Sequence, residues 1–139
     1  MKEKLYPYTA SDEACKHDSE LIIRRRPKSW GYVNGADTAA VKAQLLKGPL
    51  SVAMNAGRAF QLYSSGIIRA DDVDCQGNIN HGIVMTGYHD DPLKPDERYY
   101  TLQNSWGRGY GDNGFVRFEI ADNEPEGTCK MNRYIMWVN

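Results

Sequence analysis

Two strand-like segments joined by a polar loop constrain the fold of this chain most strongly. Residues 82–88 and residues 99–103 are rich in the β-branched and aromatic residues that favour strands. Residues 90–96 between them contain three aspartates and two prolines, which are typical of turns. The sequence therefore predicts an antiparallel β-hairpin with a long connection.

The register of this hairpin determines whether two polar residues meet. If Tyr88 pairs with Glu97, the same register places His81 opposite Asn104. Directly opposed residues have Cβ atoms about 4.5–5.5 Å apart, which is close enough for a hydrogen bond between their side chains. A slip of one residue would turn one of the two to the other face of the sheet. We therefore predict this register and a contact between His81 and Asn104.

The remaining segments give a coarse secondary structure. Residues 1–34 are expected to be irregular and mostly extended, and the arginines at 24–26 are interpreted as a solvent-exposed face. A short amphipathic helix is predicted to begin at Asp37 or Thr38 and to end after Lys47, with Val41 and Leu45 facing inward. Further predictions are a strand at 50–54, a helical turn at 60–63, tight turns at the glycines of 107–114, and a strand beginning at Phe115.

Composition narrows the class of protein. A chain of 139 residues fits one domain, 1–139, with a single core. The net charge of -1, from 17 basic and 18 acidic residues, offers no basic field for nucleic acid or an anionic membrane. We find no apolar run long enough to span a membrane and no signal peptide in the chain as given. The odd count of three cysteines means that at least one lacks a disulfide partner within the chain.

A histidine paired with an asparagine has a known chemical use in thiol peptidases. The histidine accepts and returns the proton of the nucleophile, and the asparagine amide fixes the orientation of the imidazole ring. A histidine at the end of a strand is more often structural, so the pair alone is weak evidence for catalysis.

Longer motifs around both residues strengthen the catalytic interpretation. Segment 104–107, Asn-Ser-Trp-Gly, followed by 109–115, resembles the region of the catalytic asparagine in papain and the cathepsins, and 80–88 resembles the region of their catalytic histidine. Weaker matches follow the same order at 6–8, 48–53, 60–63, 66–67 and 127–129. The chain is therefore similar, over nearly its whole length, to the C-terminal half of a papain-like cysteine peptidase.

This resemblance implies an α+β fold: the C-terminal antiparallel β-barrel half with a short helix, without the helical half that bears the nucleophile. It implies that His81 is the general base and acid, that Asn104 orients it, and that Trp106 shields their hydrogen bond from water. It also assigns four residues to substrate binding, with the bulk of the last narrowing the pocket: Ala53, Asn80, Gly82 and Tyr134.

The family's nucleophile and its oxyanion-hole glutamine lie in a Gln…Cys-Gly-Ser-Cys-Trp type of segment, and nothing here matches it. Cys15 stands among acidic residues, which disfavour a thiolate. The resemblance implies a disulfide between Cys75 and Cys129, and a partner for Cys15 in the missing half. Lys130 stands where the family usually has glycine, so the local turn is in question.

Two functions remain open. The chain is expected to be part of a papain-like endopeptidase that cleaves peptide or protein substrates once a nucleophile-bearing half completes the cleft. The alternative is an inactive papain-like module with a binding or structural role in a larger assembly. In either case we expect a partner, the N-terminal half or another protein, on the face carrying His81, Asn104 and Trp106. We expect no cofactor, no metal and no nucleic acid, and the resemblance implies a lysosomal, vacuolar or secreted location.

Overall fold

The computed structural model describes residues 6–15 and 27–139. Its two α-helices are α1 (Thr38–Leu45) and α2 (Arg58–Gln61), and short 3-10 turns occur at Val73–Cys75, Pro95–Glu97 and Thr128–Arg133. The strands are β1 (Trp30–Val33), β2 (Leu50–Met54), β3 (His81–His89), β4 (Tyr99–Gln103), β5 (Phe115–Glu119) and β6 (Tyr134–Val138). The arginines at 24–26 lie outside the described residues.

The six strands form one sheet in the order β1-β6-β2-β3-β4-β5, and every neighbouring pair is antiparallel. The predicted α+β class and the predicted β3–β4 hairpin are confirmed. The prediction of an irregular, mostly extended segment at 1–34 omits one regular strand, β1, which pairs with the C-terminal strand through Trp30 and Val138. No local pattern reveals this strand, because its hydrogen-bonding partner lies at the other end of the chain.

Alternating side chains place the hydrophobic core on one face of the sheet. Leu50, Val52 and Met54 of β2 are buried, whereas the intervening Ser51 is exposed and Ala53 is only partly buried. The same alternation appears in β5, where Val116 and Phe118 are buried. The inward face of each strand is thus the one that its period of two predicts.

Helix α1 begins where the sequence predicted. The side chain of Asp37 accepts a hydrogen bond from the backbone N–H of Ala40, which satisfies one of the free donors at the helix start. Val41 is fully buried and Leu45 packs against the core. The helix ends at Leu45, two residues before the predicted end.

The predicted register of the hairpin is wrong. Tyr88 pairs with Tyr100 rather than with Glu97, because Glu97 belongs to the 3-10 turn of the connection. A bulge between Met85 and Gly87 also places an extra residue in β3, which shifts the register along the strand. As a result His81 does not lie opposite Asn104 in the ladder.

A disulfide joins Cys75 and Cys129, as the resemblance implied. Both cysteines are fully buried, and their Cα atoms are 4.6 Å apart. The bond ties the turn at Val73–Cys75 to the turn at Thr128–Arg133. Within 6–15 and 27–139, none of the helices is both long enough and apolar enough to cross a bilayer.

Candidate active site

His81 and Asn104 come together at the end of the β3–β4 hairpin that lies away from its connecting loop. His81 is the first residue of β3, and Asn104 follows directly after the last residue of β4. The imidazole Nε2 lies 2.9 Å from Oδ1 of the Asn104 side chain, so the predicted contact is confirmed despite the wrong register. Asn104 is 8% exposed, and the histidine is half-buried.

The surroundings of Asn104 fix which nitrogen of His81 carries a proton. The backbone N–H of Ser105 donates to Oδ1 of Asn104 over 2.8 Å. Because a backbone N–H can only donate, this contact identifies the atom facing it as the amide oxygen. The same oxygen faces Nε2 of His81, so Nε2 must be the donor. In the neutral imidazole, Nδ1 is therefore left as a free proton acceptor.

The loop after β4 holds Asn104 in place through its glycines. The backbone N–H of Asn104 donates to the carbonyl of Gly114, and the N–H of Gly114 donates to the carbonyl of Tyr110. Gly114 has a φ of +96°, a backbone conformation that residues other than glycine rarely adopt. At Gly111 a Cβ would lie 2.4 Å from the carbonyl oxygen of Phe115, so only glycine fits. The predicted tight turns in this segment thus have a direct role in placing the amide.

Two aromatic rings contact the imidazole of His81. The ring centroid of Trp106 is 5.3 Å away, and that of Phe60 is 5.4 Å away. Phe60 is fully buried, whereas Trp106 is 46% exposed, so the indole has one side against the histidine and another open to solvent. Sequence reasoning assigned Trp106 to the site but missed Phe60. Phe60 lies in the matched segment 60–63, but its contact with His81 depends on how α2 packs against the sheet.

Three of the four predicted substrate-binding residues are neighbours in the sheet. Ala53 pairs with Gly82 on one side and with Tyr134 on the other. A Cβ added to Gly82 would meet nothing within 4 Å, so the space above this strand is open. Tyr134 is half-exposed and projects from the same region.

The fourth predicted residue, Asn80, has a clear structural contact. The side-chain oxygen of Asn80 accepts a hydrogen bond of 2.8 Å from the backbone N–H of Ala56, and the backbone N–H of Asn80 donates to the carbonyl of Met54. These bonds hold the chain just before His81. Its assignment to substrate binding stays a prediction.

An open cavity of about 250 Å³ lies between the start of β3 and Asn104. Gly82 and Asn104 both line it, whereas the other predicted substrate-binding residues, Ala53, Asn80 and Tyr134, are not among its lining residues. The other lining residues are Ser51, Ile83, Val84, Gln103 and Ser105.

The three cysteines fall into two states. Cys75 and Cys129 form a disulfide, and Cys15 is an exposed free thiol in the described segment 6–15.

Lys130, which follows the second disulfide cysteine, has a φ of 62°. The turn that normally suits glycine is thus kept, and a lysine adopts the left-handed conformation.

Comparison with known proteins places these features in a family. The family profile described as "Papain family cysteine protease" matches residues 1–138. Human cathepsin L2 is 37% identical over 134 residues, covering 95% of this chain and 40% of the relative. Cathepsin S of Mus musculus is 37% identical over 113 residues, covering 81% of this chain and 32% of the relative. The chain thus spans well under half the length of these relatives and matches their C-terminal part.

Solved structures agree with the family match. The cysteine protease CMS1MS2 of Carica candamarcensis superposes with a TM-score of 0.79 at 27% identity, covering 99% of this chain and 60% of that one. Bromelain of Ananas comosus has a TM-score of 0.81 at 24% identity, over 99% of this chain and 61% of that one, and shows the shared fold. The chain therefore belongs to the papain family of cysteine proteases, of which it represents the C-terminal, β-rich part.

Proposed function

We propose that this chain supplies the general base and its orienting amide to a papain-like endopeptidase, with the nucleophilic cysteine contributed by a complementary half. The observation that supports this most is the hydrogen bond from Nε2 of His81 to Asn104. It leaves Nδ1 as the acceptor for a thiol proton, which is the requirement for a general base in thiol peptidases.

In the proposed reaction, Nδ1 of His81 takes the proton of the cysteine thiol, and the thiolate attacks the carbonyl carbon of the scissile peptide bond. The imidazolium then returns that proton to the leaving amine as the C–N bond breaks, which forms an acyl-enzyme. Nδ1 then takes a proton from water as the water oxygen attacks the thioester carbonyl, and it returns this proton to the departing thiolate, which releases the acid product and restores the thiol. Throughout, Oδ1 of Asn104 accepts a hydrogen bond from the Nε2–H of His81, which keeps the ring oriented in both of its charge states.

Burial on the Asn104 side supports this role. A hydrogen bond strengthens where water is excluded, and Trp106 and Phe60 both pack against the imidazole. The exposed side of Trp106 would be covered further once a complementary half and a substrate are in place.

For the substrate, we propose that Ala53 and Gly82 form the floor of a pocket for an apolar side chain, and that Tyr134 narrows one end. Ala53 pairs with the other two residues, so all three border one surface. Small side chains at the first two positions leave room for the substrate group, because no atom lies within 4 Å of a Cβ on Gly82.

For the partner, we propose that the nucleophile-bearing half covers the face carrying His81, Asn104 and Trp106 and extends onto the outward face of the sheet next to this pocket. We define the outer sheet face by the exposed apolar residues that lie on one face of β1, β3 and β6: Trp30, Tyr32, Val84, Tyr134 and Val138. Monomers rarely leave a patch of this kind uncovered. The matched solved structures are longer than this chain, which fits an additional half in that place.

The disulfide supports an oxidising compartment, in line with the lysosomal, vacuolar or secreted location that we propose from the resemblance. In such a compartment Cys15, which is exposed, can form a disulfide with a cysteine of the complementary half. That bond would hold the two halves together covalently if they are separate chains.

The deciding experiment combines the chain with a nucleophile-bearing half of a papain-family relative and an irreversible thiol-directed peptidase probe. We expect the cysteine of that half to be labelled only in the complex. His81→Gln should abolish labelling, whereas His89→Gln, at the other end of the same strand, should not. A complex that forms but is never labelled would contradict the proposal and favour an inactive binding module.

A further inference from the structure

The loop that carries Asn104 and Trp106 is fastened to helix α2 by one buried hydroxyl. Tyr110 lies in this loop and is 8% exposed. Its hydroxyl donates to the carbonyl oxygen of Phe60, in α2, over 2.9 Å, and burial raises the pKa of this hydroxyl, so it stays protonated and keeps donating.

The ring of Tyr110 also contacts both aromatic neighbours of His81. Its centroid lies 5.2 Å from that of Phe60 and 5.2 Å from that of Trp106, the latter in an edge-to-face arrangement at 84°. Phe60 and Trp106 are themselves 5.2 Å apart. The three rings therefore form one packed group, and two of its members rest on the imidazole.

The backbone of Tyr110 is coupled to the asparagine as well. Its carbonyl accepts from the N–H of Gly114 over 2.7 Å, and the carbonyl of Gly114 accepts from the N–H of Asn104 over 2.9 Å. One residue is thus linked by its ring to the groups packed on His81 and by its main chain to the group that orients it.

We propose that Tyr110 is a positioning residue for His81: through its hydroxyl bond to Phe60 it keeps the aromatic group closed over the His81–Asn104 hydrogen bond. The catalytic meaning of this role rests on the proposed function, but the physical coupling does not. Without the hydroxyl bond, α2 and the loop separate more often. Water then reaches Nε2 more frequently, which weakens the orientation of the imidazole.

The test uses the 139-residue chain and a nuclear magnetic resonance measurement of how fast the Nε2 proton of His81 exchanges with solvent. We expect Tyr110→Phe, which keeps the ring and removes only the hydroxyl, to speed this exchange by about threefold to tenfold, the range that one lost hydrogen bond gives. No peptidase activity is needed, so the outcome is independent of whether the proposed function holds.

Tyr63→Phe is the matched control. Tyr63 is also 8% exposed, and its hydroxyl donates to a backbone carbonyl, that of Gly66, over 2.8 Å. Its ring contacts Tyr110, but it has no ring contact with His81 among those of the described residues. The control should lose a similar hydrogen bond and leave exchange at His81 unchanged. Equal acceleration in both variants, or none in Tyr110→Phe, would overturn the proposal.

If Tyr110→Phe does not fold, the unmodified chain still decides the matter. Low concentrations of denaturant should then raise the solvent exchange rates of the Tyr110 hydroxyl proton and of the His81 Nε2 proton by the same factor, because one opening motion exposes both. Different responses of the two protons would show that they are released by separate motions, and the proposal would fail.

Discussion

The imidazole of His81 reaches Asn104 diagonally, from a strand position that lies opposite a different residue. In the ladder His81 pairs with Met54 of β2, and Asn104 lies just past the end of β4, where its N–H bonds to the glycine-rich loop. The 2.9 Å contact between Nε2 and Oδ1 therefore depends on side-chain direction and on the loop, as well as on the sheet. The loop positions the amide, and the sheet positions the ring.

The isolated 139-residue chain should not hydrolyse peptides. Cys75 and Cys129 form a disulfide and so cannot give a thiol to the base His81, and Cys15 is exposed in segment 6–15. Without a nucleophile the base cannot generate an acyl-enzyme. The measurement is turnover of a fluorogenic peptide under reducing conditions. Thiol-dependent activity of the pure chain that disappears in Cys15→Ser would contradict this prediction.

Val84→Asp should weaken binding of the nucleophile-bearing half. Val84 lies on the outer sheet face and lines the cavity beside Asn104, so a carboxylate there would be buried without a partner in the complex. We expect the dissociation constant, measured by calorimetry, to rise by about tenfold or more. Val73→Asp, an exposed valine in the turn near Cys75, is the control and should bind normally. A partner that binds Val84→Asp unchanged must sit elsewhere.

Removing the disulfide should lower stability considerably. It links residues 54 positions apart, and the chain-entropy relation gives about 4 kcal/mol for a loop of that length. We expect a loss of this order in the free energy of unfolding, from denaturant titration, when Cys75 and Cys129 are both replaced by serine. Cys15→Ser should have little effect. If native protein from an oxidising compartment carries both thiols free, the predicted disulfide does not form there.

Lys130→Gly should stabilise the protein. Lys130 has a φ of 62°, a conformation that costs an L-residue roughly 1–2 kcal/mol and costs glycine nothing. After subtracting the greater backbone entropy that glycine loses on folding, we expect a gain of about 1 kcal/mol in the free energy of unfolding. Lys130→Ala removes the side chain but keeps the Cβ, so it should give no gain. An equal gain from alanine would point to the side chain instead of the backbone.

Stability should fall at alkaline pH through a buried tyrosine. Burial raises the pKa of Tyr100 from 10.0 to about 12, and its contact with Thr38 offsets part of this rise. A raised pKa in the folded state means that the stabilisation is complete below the unfolded-state pKa and is lost as pH rises through the folded-state value. The loss should therefore develop between about pH 10 and pH 12 and amount to about 2–3 kcal/mol.

The measurement is the free energy of unfolding in urea across that pH range, which should decline less steeply in Tyr100→Phe than in the unmodified chain. Burial also raises the pKa values of Tyr63 and Tyr110, so these two residues should leave part of the decline with pH in place. Tyr32→Phe, at an exposed edge-strand position, serves as the control. A slope that Tyr100→Phe does not change would assign the decline to other groups.

The sequence by itself determined the elements that depend on local chemistry. The cap at Asp37, the hydrophobic alternation in β2 and the glycine turns after Asn104 are local patterns, and the structure contains each of them. The motifs around His81 and Asn104 also identified the family, because they are continuous segments that can be read directly along the chain. The disulfide between Cys75 and Cys129 came from the resemblance alone.

Only the tertiary structure decided the relationships between distant segments. The register of the hairpin depends on the bulge after Met85 and on the turn that takes up Glu97, and the pairing of β1 with β6 joins opposite ends of the chain. The packing of Phe60 on His81 and the bond from Tyr110 to Phe60 likewise require α2 to lie against the loop. Such contacts are set by how faces pack in three dimensions, and side-chain patterns along a strand or helix do not encode which remote surface they will meet.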